Sequence, residues 1–353
     1  MAKGSREVVT RNDVAQYAGV STAVVSYVVN DGPRAVSPRT RDRVLEAIRV
    51  LGYRPNAAAR ALKVGSTRTF GLVMPDGGNP LYAELAKAVE KEAATRGYVV
   101  LQTNTDSDPA VEKRKISDLL ARQVDGLILA TPTGEPGATE LAELNDSGIP
   151  VVALNRPVRG TTSICPEYRA GARLGVEHLI GHGHERIGLV MGIERSAWSP
   201  ERELGWRDAL VAAGLPEGPI ARAEFSRQGG YDAGRQLLTT TNPPMPVKQA
   251  KVAKLLKATE RPTAIFVSSD LQAVGVLRAL HEAGLDVPGE MAVVAFDGTA
   301  ESEFSWPPLS VVRQPLEAVA QKAVSRLLDE VDEPVEAFTY PTELVLRASC
   351  GCN

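Results

Sequence analysis

Residues 10–30 read TRNDVAQYAGVSTAVVSYVVN, two short apolar runs on either side of a Gly-Val break. Thr10 followed three residues on by Asp13 can cap a helix, and Ser21 can cap a second helix after a turn at Gly19. The spacing predicts two crossing helices, the first over 11–18. Their inward-facing residues are expected to be Val14, Ala15, Ala18, Val24, Val25, Val28 and Val29.

A third helical run, SPRTRDRVLEAIRVLGY, follows at 37–53. Ser37 is its cap, Pro38 takes the first helical position, and Gly52 ends it. Its inward-facing residues are expected to be Val44, Leu45, Ile48 and Leu51. Three short helices with a tight glycine-containing turn between the first two make a helix-turn-helix.

Charge is divided unevenly along the chain. Residues 1–68 hold twelve Lys and Arg against five acidic residues, a net charge of +7, whereas the rest holds 28 basic and 38 acidic residues. A basic helix-turn-helix head favours the phosphate backbone of DNA as its partner. A basic three-helix module that never contacts DNA is the alternative.

From Thr69 onward, short apolar runs alternate with helical patterns. The runs are TFGLVMP, YVVLQTN, DGLILAT, IPVVALN, RIGLVMG, TAIFVSS and MAVVAFD. Near-continuous apolar strands separated by helices predict parallel sheets covered on both faces. Because the pattern restarts near ICPEY, at 164–168, we expect two lobes with a ligand cleft between them at the carboxyl ends of strands.

Several motifs occur in one order along nearly the whole chain. After the head come FGLVMPDGGNPLYAELAKAVEKEAATRGY, RAGARLGVEHLIGHGHERIGLV, AFDGTAESEFSWPPLSVVRQP and PTELVLRAS. Together with the head they resemble the lactose-repressor/galactose-repressor family of bacterial transcription regulators. The resemblance implies an α/β protein in which a three-helix head and a hinge helix precede a two-lobed core like that of periplasmic sugar-binding proteins.

The resemblance and the breaks in the pattern predict the domain boundaries. The head is expected at 1–55, the hinge helix and linker at 56–68, the effector-binding and dimerisation core at 69–349, and a tail at 350–353. Lobe one is expected to comprise 69–164 and 313–336, and lobe two 165–312 and 337–349. The stretch 239–260 is longer than the family needs and is interpreted as an exposed insertion with no assigned role.

In the family, the start of the second helix enters the major groove. Thr22, Ala23 and Tyr27 would then face base edges, while Ser21 and Asn30 would hold phosphates. The resemblance implies as DNA-binding residues Thr10, Ser21, Thr22, Ala23, Ser26, Tyr27, Asn30, Arg34, Asn56, Ala59 and Leu62. Ala23 and Tyr27 depart from the larger polar residues of many relatives, so the operator sequence is not implied. A Tyr27 ring packed on the head itself is the alternative to base contact.

The segment between head and core has the composition of a conditional helix. Asn56 after Pro55 can cap it, but 57–62 spans only about two turns, too short to be stable alone in water. In the family this segment becomes a hinge helix on DNA, paired across a dimer, and a leucine matching Leu62 wedges into the minor groove.

The resemblance also implies an effector pocket. Its residues are expected to be Asp76, Asn79, Leu81, Tyr82, Asn155, Trp198, Arg202, Phe225, Ser269, Asp270, Asp297 and Gln314. An arginine opposite an aspartate, with aromatic rings nearby, suits a polyhydroxylated ligand. Core packing is the alternative for Phe225. Pro166-Glu167-Tyr168 replaces an Asp-Asn-type pair of relatives, so the identity of the ligand does not transfer.

Other chemistry has few candidates. His178, His182 and His184 lie close together, but no fourth clustered ligand is evident, so we expect structural histidines and no metal. Without a nucleophile elbow or a phosphate loop, we expect no catalytic group and no cofactor. Cys165, Cys350 and Cys352 are too few and odd in number for a disulfide framework, although the last two leave open a reactive pair.

These observations predict a repressor that binds a palindromic operator in double-stranded DNA as a homodimer, under the control of a sugar or sugar derivative. No apolar run is long enough for a membrane span and no secretory leader is evident, so we expect a cytoplasmic protein with no membrane partner. The alternatives are an exported-type solute-binding protein without a DNA role and an enzyme that acts on a sugar or nucleoside.

Overall fold

The structure is a computed structural model that describes residues 9–30, 32, 34–55, 61, 65–130, 144, 148–155, 160–193, 201–239, 261–328 and 335–352. The chain divides into two compact units, 1–67 and 68–353. Four residues of the predicted sites, Asn56, Ala59, Leu62 and Trp198, lie outside the described residues, as does nearly all of the predicted insertion.

Local capping signals set the three helices of the first unit, which are α1 (Arg11–Ala18), α2 (Thr22–Val29) and α3 (Pro38–Leu51). Thr10 and Asp13 form a capping box at the start of α1. Glycines in the left-handed conformation end α1 and α3, at Gly19 with φ 60° and Gly52 with φ 65°. The helix bounds predicted from the sequence are confirmed.

The core of the first unit contains two buried residues that the sequence periodicity did not include, Ala47 and Tyr53, and leaves exposed one that it did include, Leu45. Its buried residues are Val14, Ala15, Ala18, Val25, Val28, Val44, Ala47 and Tyr53. Leu45, expected to face inward, is 47% exposed. The buried stripe of α3 runs through Val44 and Ala47, and Leu45 lies about 100° around the helix from Val44.

Two six-stranded sheets form the second unit. Sheet one has the order β11-β5-β4-β3-β1-β2 and sheet two the order β12-β10-β9-β8-β6-β7. The strands are β1 Thr69–Met74, β2 Val99–Asn104, β3 Gly126–Leu129, β4 Val151–Leu154, β5 Thr162–Pro166, β6 Ile187–Gly192, β7 Ile220–Ala223, β8 Ala264–Val267, β9 Ala292–Asp297, β10 Ser310–Arg313, β11 Ala337–Tyr340 and β12 Glu343–Val345. Every described pairing is parallel except that of β10 with β12, so the predicted parallel sheets are confirmed.

Helices cover both faces of each sheet. They are α4 Pro80–Thr95, α5 Pro109–Ala121, α6 Tyr168–Gly181, α7 Glu201–Ala212, α8 Arg227–Leu238, α9 Asp270–Glu282, α10 Ala300–Phe304 and α11 Leu316–Leu328. On sheet one, α4 and α11 pack on one face and α5 on the other. On sheet two, α6 and α7 pack on one face and α8 and α9 on the other. This double cover explains why most strands are apolar throughout.

The predicted lobe boundaries need two corrections. β11 was expected in lobe two, but it pairs with β5 at the edge of sheet one, and the chain returns to sheet two only at β12. Cys165 and Pro166, expected to open lobe two, are the end of β5. The chain therefore passes between the sheets after β5, after β10 and after β11, and sequence periodicity does not reveal which sheet an edge strand joins.

No helix in the described segments is both long enough and apolar enough to cross a lipid bilayer.

Candidate functional site

The start of α2 presents polar and small side chains to solvent. Ser21, Thr22 and Ala23 are all exposed, and Ser21 Oγ accepts a hydrogen bond from Val24 N at 3.4 Å. Further backbone N–H groups of the first turn have no partner within the helix and are available to an anion. This end of α2 therefore has the form required of a recognition helix that meets DNA at its N-terminus.

The far end of α2 is braced by its own side chains. Asn30 Nδ2 donates to Ser26 O at 3.1 Å and lies 3.2 Å from Ser26 Oγ. The half-buried Tyr27 ring lies against Gly32, where a Cβ would come within 2.6 Å of Tyr27 Cδ1. Tyr27 thus both packs on the head and keeps part of its surface exposed. Arg34 is exposed, whereas Thr10 has its hydroxyl in the capping box of α1.

Arg43 on α3 is one of the basic residues of the head, and its guanidinium has a structural role. Its guanidinium donates from Nη2 to Ala18 O and also lies 3.4 Å from Gly19 O, at the end of α1. These bonds satisfy carbonyl groups that the end of a helix leaves without partners. The Arg43 side chain therefore stabilises the turn between α1 and α2.

In the second unit, the central feature of the predicted pocket is the pair formed by Arg202 and Asp297. Arg202 Nη2 lies 3.5 Å from Asp297 Oδ1. The guanidinium carbon lies 4.7 Å from the centroid of the Tyr168 ring and 4.5 Å from that of Phe296, which is cation–π distance. The structure thus brings together two predicted residues and adds two aromatic rings that the prediction did not include.

Asp297 ends β9 and is almost fully buried. Gln314 Nε2 donates to Asp297 Oδ1 at 2.7 Å, from the segment where the chain passes between the sheets after β10. Asp297 also has φ 119°, a strained value for a residue with a side chain. Burial raises its pKa to about 6, against the opposing effects of Arg202 and Gln314. The carboxyl group can therefore change protonation in mildly acidic solution.

Ser269 and Asp270 lie at the start of α9, and Asp270 supports the turn that follows Asp297. Asp270 Oδ2 accepts from Thr299 N at 2.6 Å and from Thr299 Oγ1 at 2.9 Å. Burial raises the pKa of Asp270 well above its ordinary value, and the nearby Asp297 carboxylate adds to the rise. Ser269 Oγ caps α9 by accepting from Gln272 N at 3.2 Å. Asp270 therefore holds the loop that follows Asp297, and Ser269 fixes the start of the helix that carries Asp270.

Three buried polar atoms, one of the pair itself and two of neighbouring residues, have no hydrogen-bond partner among the described residues. They are Arg202 Nε, Asp270 Oδ1 and Gln314 Oε1. A buried polar atom without a partner costs about 1–3 kcal/mol. Donor and acceptor atoms side by side can be satisfied by neighbouring hydroxyl groups of a ligand, since each hydroxyl both donates and accepts.

Tyr82 on α4 is the lobe-one residue with the clearest connection to the pair. Burial raises the pKa of its phenol, with Asp297 and Asp76 raising it further and Arg202 lowering it, which places the hydroxyl within electrostatic reach of all three. Asp76 is exposed and accepts from Gly78 N at 2.7 Å. The charges of the Arg202–Asp297 pair therefore act on the Tyr82 phenol from the opposite lobe.

The other predicted residues of lobe one have structural contacts. Asn79 Oδ1 caps α4 by accepting from Leu81 N at 3.1 Å, and Leu81 is buried. Asn155, with φ 70°, accepts from the Tyr168 hydroxyl at 3.1 Å. Tyr168 thus spans from Asn155 to Arg202. Its signal in the sequence was the departure from the family pattern at 166–168.

Phe225 lies just beyond β7 and is 39% exposed. Its ring covers Gly192 at the end of β6, where a Cβ would lie only 2.1 Å from Phe225 Cε2. The ring therefore sits at the carboxyl ends of two neighbouring strands, partly packed and partly open.

A hydrogen bond between the lobes was also missed. Ala300 N donates to Glu84 Oε1 at 2.8 Å, joining the first residue of α10 to α4. A carboxylate at a helix N-terminus is favourable because the first N–H groups lack partners within the helix. No sequence pattern connects residues that lie 216 positions apart.

The expectation that no fourth ligand joins the histidines is wrong. His178, His182, Cys350 and Cys352 place one potential metal-binding atom each within 4.8 Å of one another. His184 does not belong to this group: its Nδ1 lies 3.1 Å from Thr263 Oγ1, so its structural role stands. The two cysteines come from the end of the chain, 172 and 174 residues beyond His178, which is why sequence spacing did not reveal them.

Two family models match the chain. Residues 10–56 match the model described as bacterial regulatory proteins, lacI family, and residues 176–350 match the model described as a periplasmic binding protein-like domain. The first match covers α1 to α3, and the second begins within α6 and ends in the tail.

Similar proteins extend this match over nearly the whole chain. Catabolite control protein A of Priestia megaterium is 34% identical over 350 residues, 97% of this chain and 99% of that protein. The ribose operon repressor of Escherichia coli K12 is 34% identical over 330 residues, 92% of this chain and 94% of that protein. Among solved structures, the lac repressor dimer bound to operator and the anti-inducer ONPF matches with a TM-score of 0.80 and 29% identity, over 98% of this chain and 99% of that one.

Proposed function

The chain belongs to the LacI family of bacterial regulatory proteins, and from this premise we propose that it is a repressor that binds a palindromic operator as a homodimer and is controlled by a sugar-like effector. It is a DNA-binding transcriptional regulator with a helix-turn-helix head.

The proposal that the protein binds an operator is supported by the exposed start of α2 and by the net charge of +7 over residues 1–68. Thr22 and Ala23 would contact base edges, with Ser21 and the first-turn N–H groups on phosphate. The lac repressor, which this chain resembles, is a dimer on its operator. Two heads related by a twofold axis read a palindrome, so the same arrangement is proposed here.

One observation supports the proposed effector: Arg202 Nε of the Arg202–Asp297 pair, and Oδ1 of Asp270 and Oε1 of Gln314 beside it, are buried and have no hydrogen-bond partner among the described residues. A sugar offers hydroxyl groups to these atoms and a C–H face to an aromatic ring such as Tyr168. The ribose operon repressor is among the similar proteins, which supports the same ligand class. Asp76, Asn79, Leu81, Tyr82, Asn155, Trp198, Phe225, Ser269, Asp270 and Gln314 are proposed to complete or support this pocket.

Effector binding and DNA binding are proposed to be coupled through closure of the two lobes. A ligand between the lobes favours whichever lobe arrangement it binds more tightly. In a dimer, that arrangement sets the separation of the two 56–68 segments and so the ordering of a hinge helix. The hinge is too short to be stable alone, so a small bias is enough to order or disorder it.

The proposed effector is tested by thermal unfolding of the protein in the presence of pentoses, hexoses, disaccharides, sugar phosphates and nucleobases. A ligand at a hundredfold excess over its dissociation constant adds about 2.7 kcal/mol to the free energy of unfolding, which raises the melting temperature. We expect one sugar class to do so, and Arg202→Ala and Asp297→Ala to abolish the rise.

Arg173→Ala is the matched control, because Arg173 pairs with Glu177 on the exposed side of α6 and should leave the rise intact. If no compound raises the melting temperature, or the rise persists in both pocket variants, the proposed pocket is wrong.

The two alternative functions predict other outcomes. A solute-binding protein without a DNA role would bind the sugar but show no sequence-specific DNA affinity. An enzyme would convert the bound compound, so chromatography after long incubation would recover product. We expect unchanged ligand together with specific DNA binding, which is also what a cytoplasmic repressor requires.

A further inference from the structure

Four side chains that the proposed function does not use converge at the C-terminal end of α6. His178 lies in the last turn of the helix and His182 directly follows it, four residues on, so both project from the same face. Cys350 ends the 3-10 turn Ala348–Cys350, and Cys352 follows it. One nitrogen or sulfur atom from each of the four lies within 4.8 Å of all the others.

Three nitrogen–sulfur separations are close to the edge of a tetrahedral metal site. His178 Nε2 lies 3.2 Å from Cys350 Sγ and 3.6 Å from Cys352 Sγ, and His182 Nε2 lies 3.4 Å from Cys352 Sγ. Zn–S bonds of about 2.3 Å and Zn–N bonds of about 2.0 Å at tetrahedral angles give a sulfur–nitrogen edge of about 3.6 Å. One ion at the centre of the cluster would therefore be in reach of all four atoms.

The backbone of the tail makes this convergence possible. Gly351 has φ 96°, a left-handed conformation that turns the chain between the two cysteines, so a single intervening residue is enough to bring both thiols to α6. Cys350 is buried, and Ser310 Oγ lies 3.0 Å from its sulfur, in position to donate to a thiolate. Such donors orient and stabilise metal-bound sulfur.

The tail around the cluster is itself fixed to sheet two. Ser349 Oγ donates to Val293 O at 2.6 Å and accepts from Ser310 N at 2.8 Å. The cluster also lies at the end of α6, where the helix dipole is negative and favours a cation. The bonds of Ser349 therefore hold the tail in place, and the end of α6 makes the site favourable for a positive ion.

We propose that His178, His182, Cys350 and Cys352 bind one Zn²⁺ as a closed structural site. Two thiolates and two imidazoles in a tetrahedron are a zinc donor set, whereas Mg²⁺ and Ca²⁺ require oxygen ligands. Four protein ligands leave no open position for a substrate. The ion ties the last residues of the chain to α6, and its binding releases the two thiol protons to solvent.

Metal analysis of the untagged full-length protein tests the site directly, since a polyhistidine tag would itself bind zinc. We expect one zinc per chain by mass spectrometry of the acid-digested protein after gel filtration. After replacement by Co²⁺, we expect sulfur-to-cobalt charge-transfer absorption and the intense visible bands of a tetrahedral ion.

Ligand variants give the matched comparison. Cys352→Ser and His182→Asn change residues at partly or fully exposed positions, so the fold should survive, and both should lose the bound zinc and the cobalt absorption. His281→Asn, at an exposed position at the end of α9, and Cys165→Ala, in β5, remove the same residue types elsewhere and should retain one zinc per chain.

Stability supplies a second measurement. A zinc chelator should lower the melting temperature of the wild type and of His281→Asn, but leave that of Cys352→Ser unchanged. The proposal is overturned if the wild type binds no zinc when micromolar Zn²⁺ is supplied, or if Cys352→Ser and His182→Asn bind as much as the wild type. A disulfide between Cys350 and Cys352 in protein kept under reducing conditions would overturn it as well.

Discussion

At the scale of single residues, Asp297 of the proposed pocket lies in an energetically costly environment for a carboxylate. Its carboxyl group is buried beside Arg202 and accepts from Gln314, yet burial still raises its pKa to about 6. The folded protein therefore holds this proton more tightly than the unfolded chain does. The free energy of unfolding should accordingly contain a contribution that is complete below about pH 4 and is lost as the pH rises through about 6.

Asp297→Asn removes this titration. We expect the free energy of unfolding of the variant, relative to the wild type, to increase as the pH rises from about 4 to about 6, because only the wild type loses the contribution of the bound proton. Urea unfolding at a series of pH values measures it. Asp208→Asn is the control: Asp208 pairs with Arg169 at the surface, which lowers its pKa, so its titration has the opposite sign.

An Asp297→Asn protein with the same pH dependence as the wild type would mean that the proton resides on Asp270 instead, since the two carboxyl groups interact and titrate as a pair.

At this scale the family resemblance predicted the charged pair but not the two aromatic rings that flank it. Arg202 and Asp297 were predicted from the family pattern, and the structure brings them together. Tyr168 and Phe296, which flank Arg202, were not predicted. A ring that packs on a guanidinium looks like any other core aromatic in the sequence, because the contact depends on where two helices and a strand meet.

At the scale of elements, α10 is held by a residue of the opposite lobe. The helix has only five residues, and its first N–H group donates to Glu84 on α4. A hydrogen bond to a charged group contributes about 1.5–3 kcal/mol. This bond therefore favours the arrangement in which the two lobes are close together at α4 and α10.

Glu84→Ala should loosen this contact. We expect hydrogen exchange of the Ala300 amide to become roughly ten- to hundredfold faster, since each factor of ten corresponds to about 1.4 kcal/mol. Glu90→Ala, at an exposed position on the same helix, should leave the exchange rate unchanged. Unchanged exchange in Glu84→Ala would show that the lobes stay together without this bond.

At the scale of elements, helix bounds could be predicted from the sequence, whereas strand pairing could not. The bounds of α1, α2 and α3 were predictable because their capping residues lie within three positions of the helix ends. The edge strand β11 was assigned to the wrong lobe because only two residues separate it from β12 and both sheets accept an edge strand there. Local signals place elements along the chain, but pairing partners are decided by contacts over long distances.

At the scale of the whole molecule, the proposed dimer makes its DNA affinity depend on salt and on the hinge. If two heads together neutralise about six to ten phosphates, affinity should fall roughly a thousandfold or more between about 50 and 200 mM salt. Leu62→Gly should remove specific binding while leaving non-specific binding in place, because the residue proposed to wedge into the minor groove is lost.

Fluorescence anisotropy with a DNA sequence selected from a random pool measures both effects. Leu62→Met keeps an apolar side chain of similar size and should retain specific binding. Specific affinity that survives Leu62→Gly, or that hardly changes with salt, would contradict the proposed hinge.

The order of the strands also constrains how the protein is made. The core of sheet one includes Val319, Ala323 and Leu327 of α11, and its edge is β11, yet all of these follow the first five strands of sheet two in the chain. Sheet two in turn is complete only when β12 and the buried Cys350 have been synthesised. A ribosome that stalls after β10 therefore releases a polypeptide in which both sheets have an open edge and exposed apolar surface. Such fragments are prone to aggregation and are targets for chaperones and proteases, and neither lobe is complete until β11 and β12 have been made.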